Sequence, residues 1–232
     1  MDYLTQIFEL TPAAAVPPLG FAAKAGVARR YPAGKKQFGS FELTDAVRPT
    51  ANAKIVPIQG FRYDKYVDEE SKTEIPVIMA AASREVLFSV FVQLIQKLGP
   101  VVDVVLETSH DHEISGHRDL TREQIDTPVL TSTLMEFENL LVNDGCTGIA
   151  VLNPKTPQEV QFDEHKLLIM YGNPLETFER ILEQHQILCK PTMHFITEAE
   201  HIHNSNQGYK AQFGILCNLL GTEEETDGEL EV

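Results

Sequence analysis

The spacing of apolar residues divides the chain into three parts. Residues 1–52 are rich in Ala, Pro and Gly and show neither helical nor strand periodicity, which predicts an irregular N-terminal arm. From residue 53 to residue 221 apolar positions recur regularly, as in a folded α/β domain. Residues 222–232 include six acidic residues and predict a disordered acidic tail.

Within residues 53–221, short apolar runs alternate with longer amphipathic segments. The predicted strands are 53–63, 75–81, 101–108, 147–153, 159–171 and 192–198. The predicted helices are 84–98, a second from Thr127 to Gly145, and a third that begins at Pro174. The helix at 84–98 has nine apolar residues among its fifteen, so we expect it to be the most buried. Residues 209–221 are ambiguous between strand and helix, and residues 113–126 are predicted as a loop.

Two segments of the chain resemble each other at an offset of 91 residues. Residues 78–112 align without a gap on residues 169–203, and eight of the thirty-five positions are identical. Ordinary composition would give roughly two identities. Because both segments are predicted as strand, helix and strand, the match indicates an internal repeat.

The repeat leads to a prediction of fold class. Each copy, with the extended segment before it, forms a β-β-α-β unit, one over residues 53–112 and the other over residues 146–203, joined by a loop and helix at 113–145. Two such units related by a pseudo-twofold predict an α/β protein of the α+β two-layer sandwich type. Its sheet would be mixed or antiparallel, with helices mainly on one face.

Each copy ends in the pattern Glu-x-x-His-x-His at the exit of a strand. The six residues are Glu107, His110, His112, Glu198, His201 and His203. In extended backbone, residues i and i+2 point to the same side, so each copy offers two imidazoles to one region of space. Imidazoles paired in this way suit a divalent transition metal such as Zn²⁺, and a carboxylate from Glu107, Glu198, Asp111 or Glu113 could complete the ligand set.

The histidines also permit two interpretations without a metal. They could be polar loop residues that both copies inherited, or one could work as a metal-free acid or base. The stretch 112–117 has one residue too many for the helical His-Glu-x-x-His motif of zinc proteases, and Gly116 opposes a helix there. Gly-rich phosphate loops and nucleophile-elbow motifs are absent from the sequence, which argues against the common nucleotide-using and acyl-transfer classes.

The charge of the chain limits the binding partners to be expected, and its cysteine content indicates a cellular compartment. The net charge is −15, and residues 61–232 hold twelve Lys/Arg against thirty Asp/Glu. Such a surface repels phosphate backbones and anionic lipid, so neither nucleic acid nor a membrane is expected as a partner. Three cysteines without CxxC spacing and an N-terminus without a signal-peptide pattern predict a cytoplasmic protein.

Two functional hypotheses follow from the sequence. The first is a module without recognisable catalytic machinery that self-associates into a homo-oligomer through residues 1–52, because a long irregular arm needs a surface to lie on. The second is a divalent-metal-binding protein or metal-dependent hydrolase that uses His110, His112, His201 and His203 as ligands.

Overall fold

The computed structural model describes residues 36–50, 53–67, 72–111 and 117–224. The rest of the predicted arm, His112, Glu113 and the tail beyond residue 224 lie outside the described residues. Within the described ranges, no helix combines the length and the apolar character needed to cross a membrane.

The described chain contains twelve strands, five helices and one 3₁₀ turn at Ile196–Glu198. The strands are β1 (Gln37–Phe38), β2 (Phe41–Glu42), β3 (Val47–Pro49), β4 (Gly60–Val67), β5 (Glu74–Ala81), β6 (Val101–Thr108), β7 (Arg118–Asp126), β8 (Thr147–Leu152), β9 (Glu159–Phe162), β10 (Leu168–Tyr171), β11 (His201–His203) and β12 (Glu223–Glu224). The helices are α1 (Arg84–Ile95), α2 (Thr127–Glu136), α3 (Glu138–Asn143), α4 (Glu176–Gln184) and α5 (Gln207–Leu220).

Eight of the strands form one large sheet in the order β12-β7-β6-β8-β9-β10-β5-β4. Every neighbouring pair in this sheet is antiparallel. Two further two-stranded sheets, β1-β2 and β3-β11, lie outside it. The protein is therefore a mixed α+β fold with a large antiparallel sheet.

The two faces of the sheet contribute to different apolar clusters. On β5, Ile78 and Ala80 join the largest cluster, to which all five helices contribute buried side chains. Val77 and Met79 point the other way and join a second cluster that contains no helical residue. Helix α1 is the most buried, as its composition predicts, with seven buried apolar residues at about 1.5–3 kcal/mol each.

Two predicted strands have different bounds in the structure. The first begins at Gly60 instead of residue 53. The segment 159–171, predicted as one long strand, is a hairpin of β9 and β10 around a turn at residues 163–167. The Lys166 N–H donates to the Asp163 carbonyl (3.0 Å) and the Leu167 N–H to Asp163 Oδ1 (2.7 Å), so one aspartate closes this turn.

Other segments change type. Residues 118–126, predicted as part of a loop, form strand β7. This strand buries one apolar residue, Ile125, so its sequence lacks the alternation of apolar and polar residues that predicts a strand. The ambiguous segment 209–221 belongs to helix α5, which Asn206 caps by accepting a hydrogen bond from the Tyr209 N–H (3.1 Å).

The structure does not confirm the two-unit repeat. The first two elements correspond, since β5 and α1 match β10 and α4 in the alignment. The third does not, because residues 192–198 form no strand: Met193 and Phe195 turn inward to cover the second apolar cluster. The final strand β11 then pairs with β3, outside the large sheet.

Residues 36–50 and 223–224 also depart from the predicted division of the chain. The segment 36–50, assigned to the irregular arm, forms β1, β2 and β3. Its Phe41, Ala46 and Val47 side chains are buried, so this part of the arm packs on the domain. At the other end, Glu223 pairs with Thr121 of β7, so the first residues of the predicted tail extend the sheet.

Candidate metal centre

Three imidazoles from two distant parts of the chain come together beside the small β3-β11 sheet. His165 comes from the turn between β9 and β10, and His201 and His203 come from β11. Their ring centroids are 4.7–5.1 Å apart. One potential ligand atom of each lies within 4.8 Å of those of the other two. Among the described residues, this is the one group of three or more side chains with such spacing.

Asp163 both stabilises the turn that presents His165 and holds the imidazole of His165 in place. Asp163 Oδ1 accepts the Leu167 N–H, while its Oδ2 lies 2.9 Å from His165 Nδ1. The turn is also anchored to β8, because the buried Lys166 donates from Nζ to the Thr147 carbonyl (2.7 Å). Lys166 has a φ of +66°, a left-handed conformation that few non-glycine residues adopt. Backbone strain of this kind is common at functional sites.

Strand β11 presents the other two imidazoles on one side by its two-residue alternation. His201 Nδ1 lies 2.7 Å from the Ala199 carbonyl oxygen, and His203 Nδ1 lies 2.5 Å from the Gly145 carbonyl oxygen. Gly145 is required at this point because a Cβ there would collide with the Ala46 carbonyl oxygen. Because the backbone of Gly145 lies so close to that of Ala46, its carbonyl oxygen can accept a hydrogen bond from the His203 ring.

These contacts determine which nitrogen of each ring is protonated. A carbonyl oxygen can only accept a hydrogen bond, so Nδ1 of His201 and of His203 carries the proton. In a neutral imidazole the lone pair then lies on Nε2, which is the atom left for a metal. His165 follows the same rule because its partner is the Asp163 carboxylate. Metal-binding histidines in proteins usually have their second nitrogen bound to a carboxylate or a carbonyl in this way.

The electrostatics of the cluster favour a neutral ring at His201 and a charged ring at His165 in the absence of an ion. Burial lowers the pKa of His201, and His165 and His203 lower it further, while the bond to the Ala199 carbonyl opposes them. At His165, burial disfavours the charged ring, but the Asp163 carboxylate outweighs it and raises the pKa. Burial likewise opposes ionisation of Asp163, yet His165 and the Leu167 N–H keep its pKa below the ordinary value.

The dimensions of the cluster fit a first-row metal ion after a small contraction. Zinc–nitrogen bonds of 2.0–2.1 Å in a tetrahedron require donor atoms about 3.4 Å apart. One ring nitrogen of each histidine lies within 4.8 Å of one from each of the other two, so movements of about 1 Å per ring would bring three nitrogens to that separation. Three imidazoles leave a fourth position for water or another ligand.

The other predicted ligands lie elsewhere. His110, at the exit of β6, is buried in the interior, where its Nε2 lies 2.9 Å from Asp144 Oδ2 and its ring contacts Phe213. Its Nδ1 lies 2.7 Å from Thr108 Oγ1. His110 therefore links β6 to the end of α3 and does not join His201 and His203. His112 lies outside the described residues.

Two of the four candidate carboxylates, Glu198 and Glu107, also lie outside the group of three rings. Glu198 pairs with Arg62 (2.7 Å) and with His194 (2.6 Å). Glu107 lies over Gly148 of the neighbouring strand, with its Oε2 2.7 Å from where a Cβ at residue 148 would be. Burial and the nearby Asp119 raise the pKa of Glu107 to about 8.

His165, Asp163 and the Gly145 carbonyl were not among the predicted site residues. A signal for the first two is present: four polar residues, Asp-Glu-His-Lys, separate the apolar runs of β9 and β10 and could have predicted a tight turn with His165 at its tip. No pattern in the sequence points to the Gly145 carbonyl, because its role depends on a tertiary contact.

Known proteins give no independent guide to what this cluster does. No protein-family model matches the chain, and no curated protein or solved structure shows a significant similarity to it. A function must therefore be inferred from the contacts of the three imidazoles themselves.

Proposed function

We propose that this protein binds one divalent transition-metal ion, with Zn²⁺ as the best fit, through Nε2 of His165, His201 and His203. The observation that supports the proposal is that three imidazoles converge while each has its Nδ1–H bound to a protein acceptor. Imidazole nitrogen suits Zn²⁺ and its neighbours in the first row better than the hard cations Mg²⁺ or Ca²⁺.

Because the described residues supply three ligands, a fourth position occupied by water would favour a reactive centre over a purely structural one. Structural zinc sites usually have four protein ligands, whereas catalytic sites have three and a water molecule. A bound ion would lower the pKa of that water and polarise a substrate carbonyl or phosphoryl oxygen. Glu164 is the nearby carboxylate for such chemistry, since its charge acts on both His165 and His201 and its Oε2 accepts a hydrogen bond from Ser109 Oγ (2.9 Å). A metal-dependent hydrolase is therefore the enzyme class that this centre suits.

Metal analysis of protein purified without a histidine tag tests the proposal. We expect about one zinc ion per chain, and a Co²⁺-substituted protein with the visible absorption of a four-coordinate ion. The variants His165→Ala and His201→Ala should lose the ion. His194→Ala is the matched control, because it removes an exposed imidazole outside the cluster. Full zinc occupancy in both cluster variants would refute the assignment of these ligands.

Self-association through residues 1–52 remains a second proposal of a different kind. The described part of that segment, residues 36–50, packs on its own domain through β3 and Phe41. Sedimentation of the full chain and of a chain lacking residues 1–35 tests it, and a monomer in both cases would exclude it.

A further inference from the structure

Strand β11 is part of both the imidazole cluster and the small β3-β11 sheet. Its side chains supply two of the three imidazoles, while its backbone pairs with β3, His201 opposite Pro49 and His203 opposite Val47. The pairing continues beyond the strands, because the Asn204 N–H donates to the Ala46 carbonyl (2.7 Å). Whatever holds β11 in place therefore also holds the segment around β3.

The small sheet is attached to the large one by few contacts. Within the described ranges, neither β3 nor β11 pairs with a strand of the eight-stranded sheet. The Gly145 N–H donates to the Asn204 carbonyl (2.8 Å), the Gly145 carbonyl contacts His203, and the Asp45 N–H donates to Asn143 Oδ1 (3.2 Å). The apolar cluster beneath the small sheet consists of Ala46, Val47 and Ile196. The imidazole cluster is thus a main side-chain link between β11 and the turn of the large sheet that holds His165.

Ion pairs contribute little to holding the segment 44–50 on the domain. Asp45 lies beside Arg48 and 2.9 Å from Arg84 of α1, but its side chain is 42% exposed. Partly exposed pairs of this kind contribute little, because solvent screens them and ordering two long side chains is unfavourable. Without an ion, the segment 44–50 should therefore open more readily than the large sheet.

On the basis of the proposed metal site, we propose that ion binding fastens residues 44–50 to the domain. An ion bonded to His165 in the large sheet and to His201 and His203 in the small sheet cross-links the two, and β3 is retained through its pairing with β11. Occupancy of the site then controls how often the N-terminal segment detaches, which makes the metal a regulator of that segment.

Hydrogen exchange of the full chain, measured by mass spectrometry with and without zinc, tests this coupling. Any opening that releases the ion is suppressed by the factor 1 + [Zn²⁺]/Kd, so free zinc at a hundred times Kd should slow exchange about 100-fold. We expect this slowing in peptides covering 44–50 and 200–204, its reversal by a chelator, and little change in peptides from α1 (Arg84–Ile95).

Two variants distinguish the coupling from general stabilisation. His165→Gln removes the link to the large sheet and leaves the pairing of β3 with β11, so the zinc-dependent slowing at 44–50 should disappear. His194→Ala should retain it. If His165→Gln does not fold, Asp163→Asn keeps the imidazole, and the slowing should then require more zinc.

The outcomes separate this inference from the proposed function. One zinc ion bound per chain, with exchange at 44–50 unchanged, would refute the coupling and leave the metal site intact. Failure of the wild-type chain to bind zinc would refute both. Slowing confined to 200–204 would also refute the coupling, because β3 would then open independently of β11.

Discussion

Replacement of Glu107 by glutamine should stabilise the protein, and more so as the pH rises. Glu107 lies on β6 with its carboxyl group over Gly148, and burial together with Asp119, Asp163, Glu159 and Glu164 raises its pKa from 4.5 to about 8. The folded protein therefore retains a proton on Glu107 in a pH range in which the unfolded chain has lost it. Glutamine resembles the protonated form and needs no proton.

The sign and size of the effect follow from proton linkage. Because the folded state binds more protons than the unfolded state between pH 4.5 and about 8, Glu107 makes the free energy of unfolding fall as the pH rises through that window. Each unit of pKa displacement corresponds to 1.36 kcal/mol, which gives an upper limit of about 3 kcal/mol between pH 5 and pH 7.5. We expect Glu107→Gln to gain about 1–3 kcal/mol over the wild type across that interval.

Urea denaturation of the wild type and the variant at several pH values measures this difference directly. Glu123→Gln is the control, because Glu123 is an exposed residue on the neighbouring strand β7. Its effect on the free energy of unfolding should be small, because the side chain is exposed. A stability difference between Glu107→Gln and the wild type that stays constant from pH 5 to pH 7.5 would show that Glu107 ionises normally and would refute the reasoning.

Two further substitutions test the surroundings of the three imidazoles. Gly145→Ala should lower the free energy of unfolding by about 1–3 kcal/mol, because its Cβ would collide with the Ala46 carbonyl oxygen. Gly214→Ala is the control for it, since a Cβ there meets no atom within 4 Å and alanine favours the helix, so thermal denaturation should show an unchanged or higher Tm. Asp163→Asn should weaken zinc binding by about 10- to 100-fold in a chelator competition, because the amide cannot serve both the turn and His165 as the carboxylate does. An unchanged zinc affinity in Asp163→Asn would show that this carboxylate does not orient the ring.

Much of the large sheet could be predicted from the sequence because its central strands are short, apolar and bounded by turn residues. The predicted strands at 75–81, 101–108 and 147–153 match β5, β6 and β8 to within one residue at each end. Strand β7 was missed because it buries little apolar surface. The predicted strand at 192–198 was wrong because its apolar residues cover the second cluster from an irregular segment, a role that alternation alone cannot reveal.

The candidate site shows where reasoning from a repeat fails. The spacing of His201 and His203 places both rings on one side of β11, as predicted, but the third ring comes from His165 and not from His110. The repeat suggested equivalent positions for matching histidines, whereas β6 lies inside the large sheet and β11 pairs with β3. Which imidazoles meet was decided by tertiary contacts that no local pattern describes.

The double role of Asp163 has a consequence for the order in which the site is assembled. The pairing of β9 with β10 and the contact of Asp163 with His165 join residues that are close in sequence, so formation of this turn also orients the His165 ring. We therefore expect the His165 ring to be oriented once the hairpin has formed, whereas His201 and His203 join it only when β11 pairs with β3. A substitution that reshapes the hairpin turn should therefore also displace the His165 ring, whereas a substitution in β11 should leave the turn unchanged.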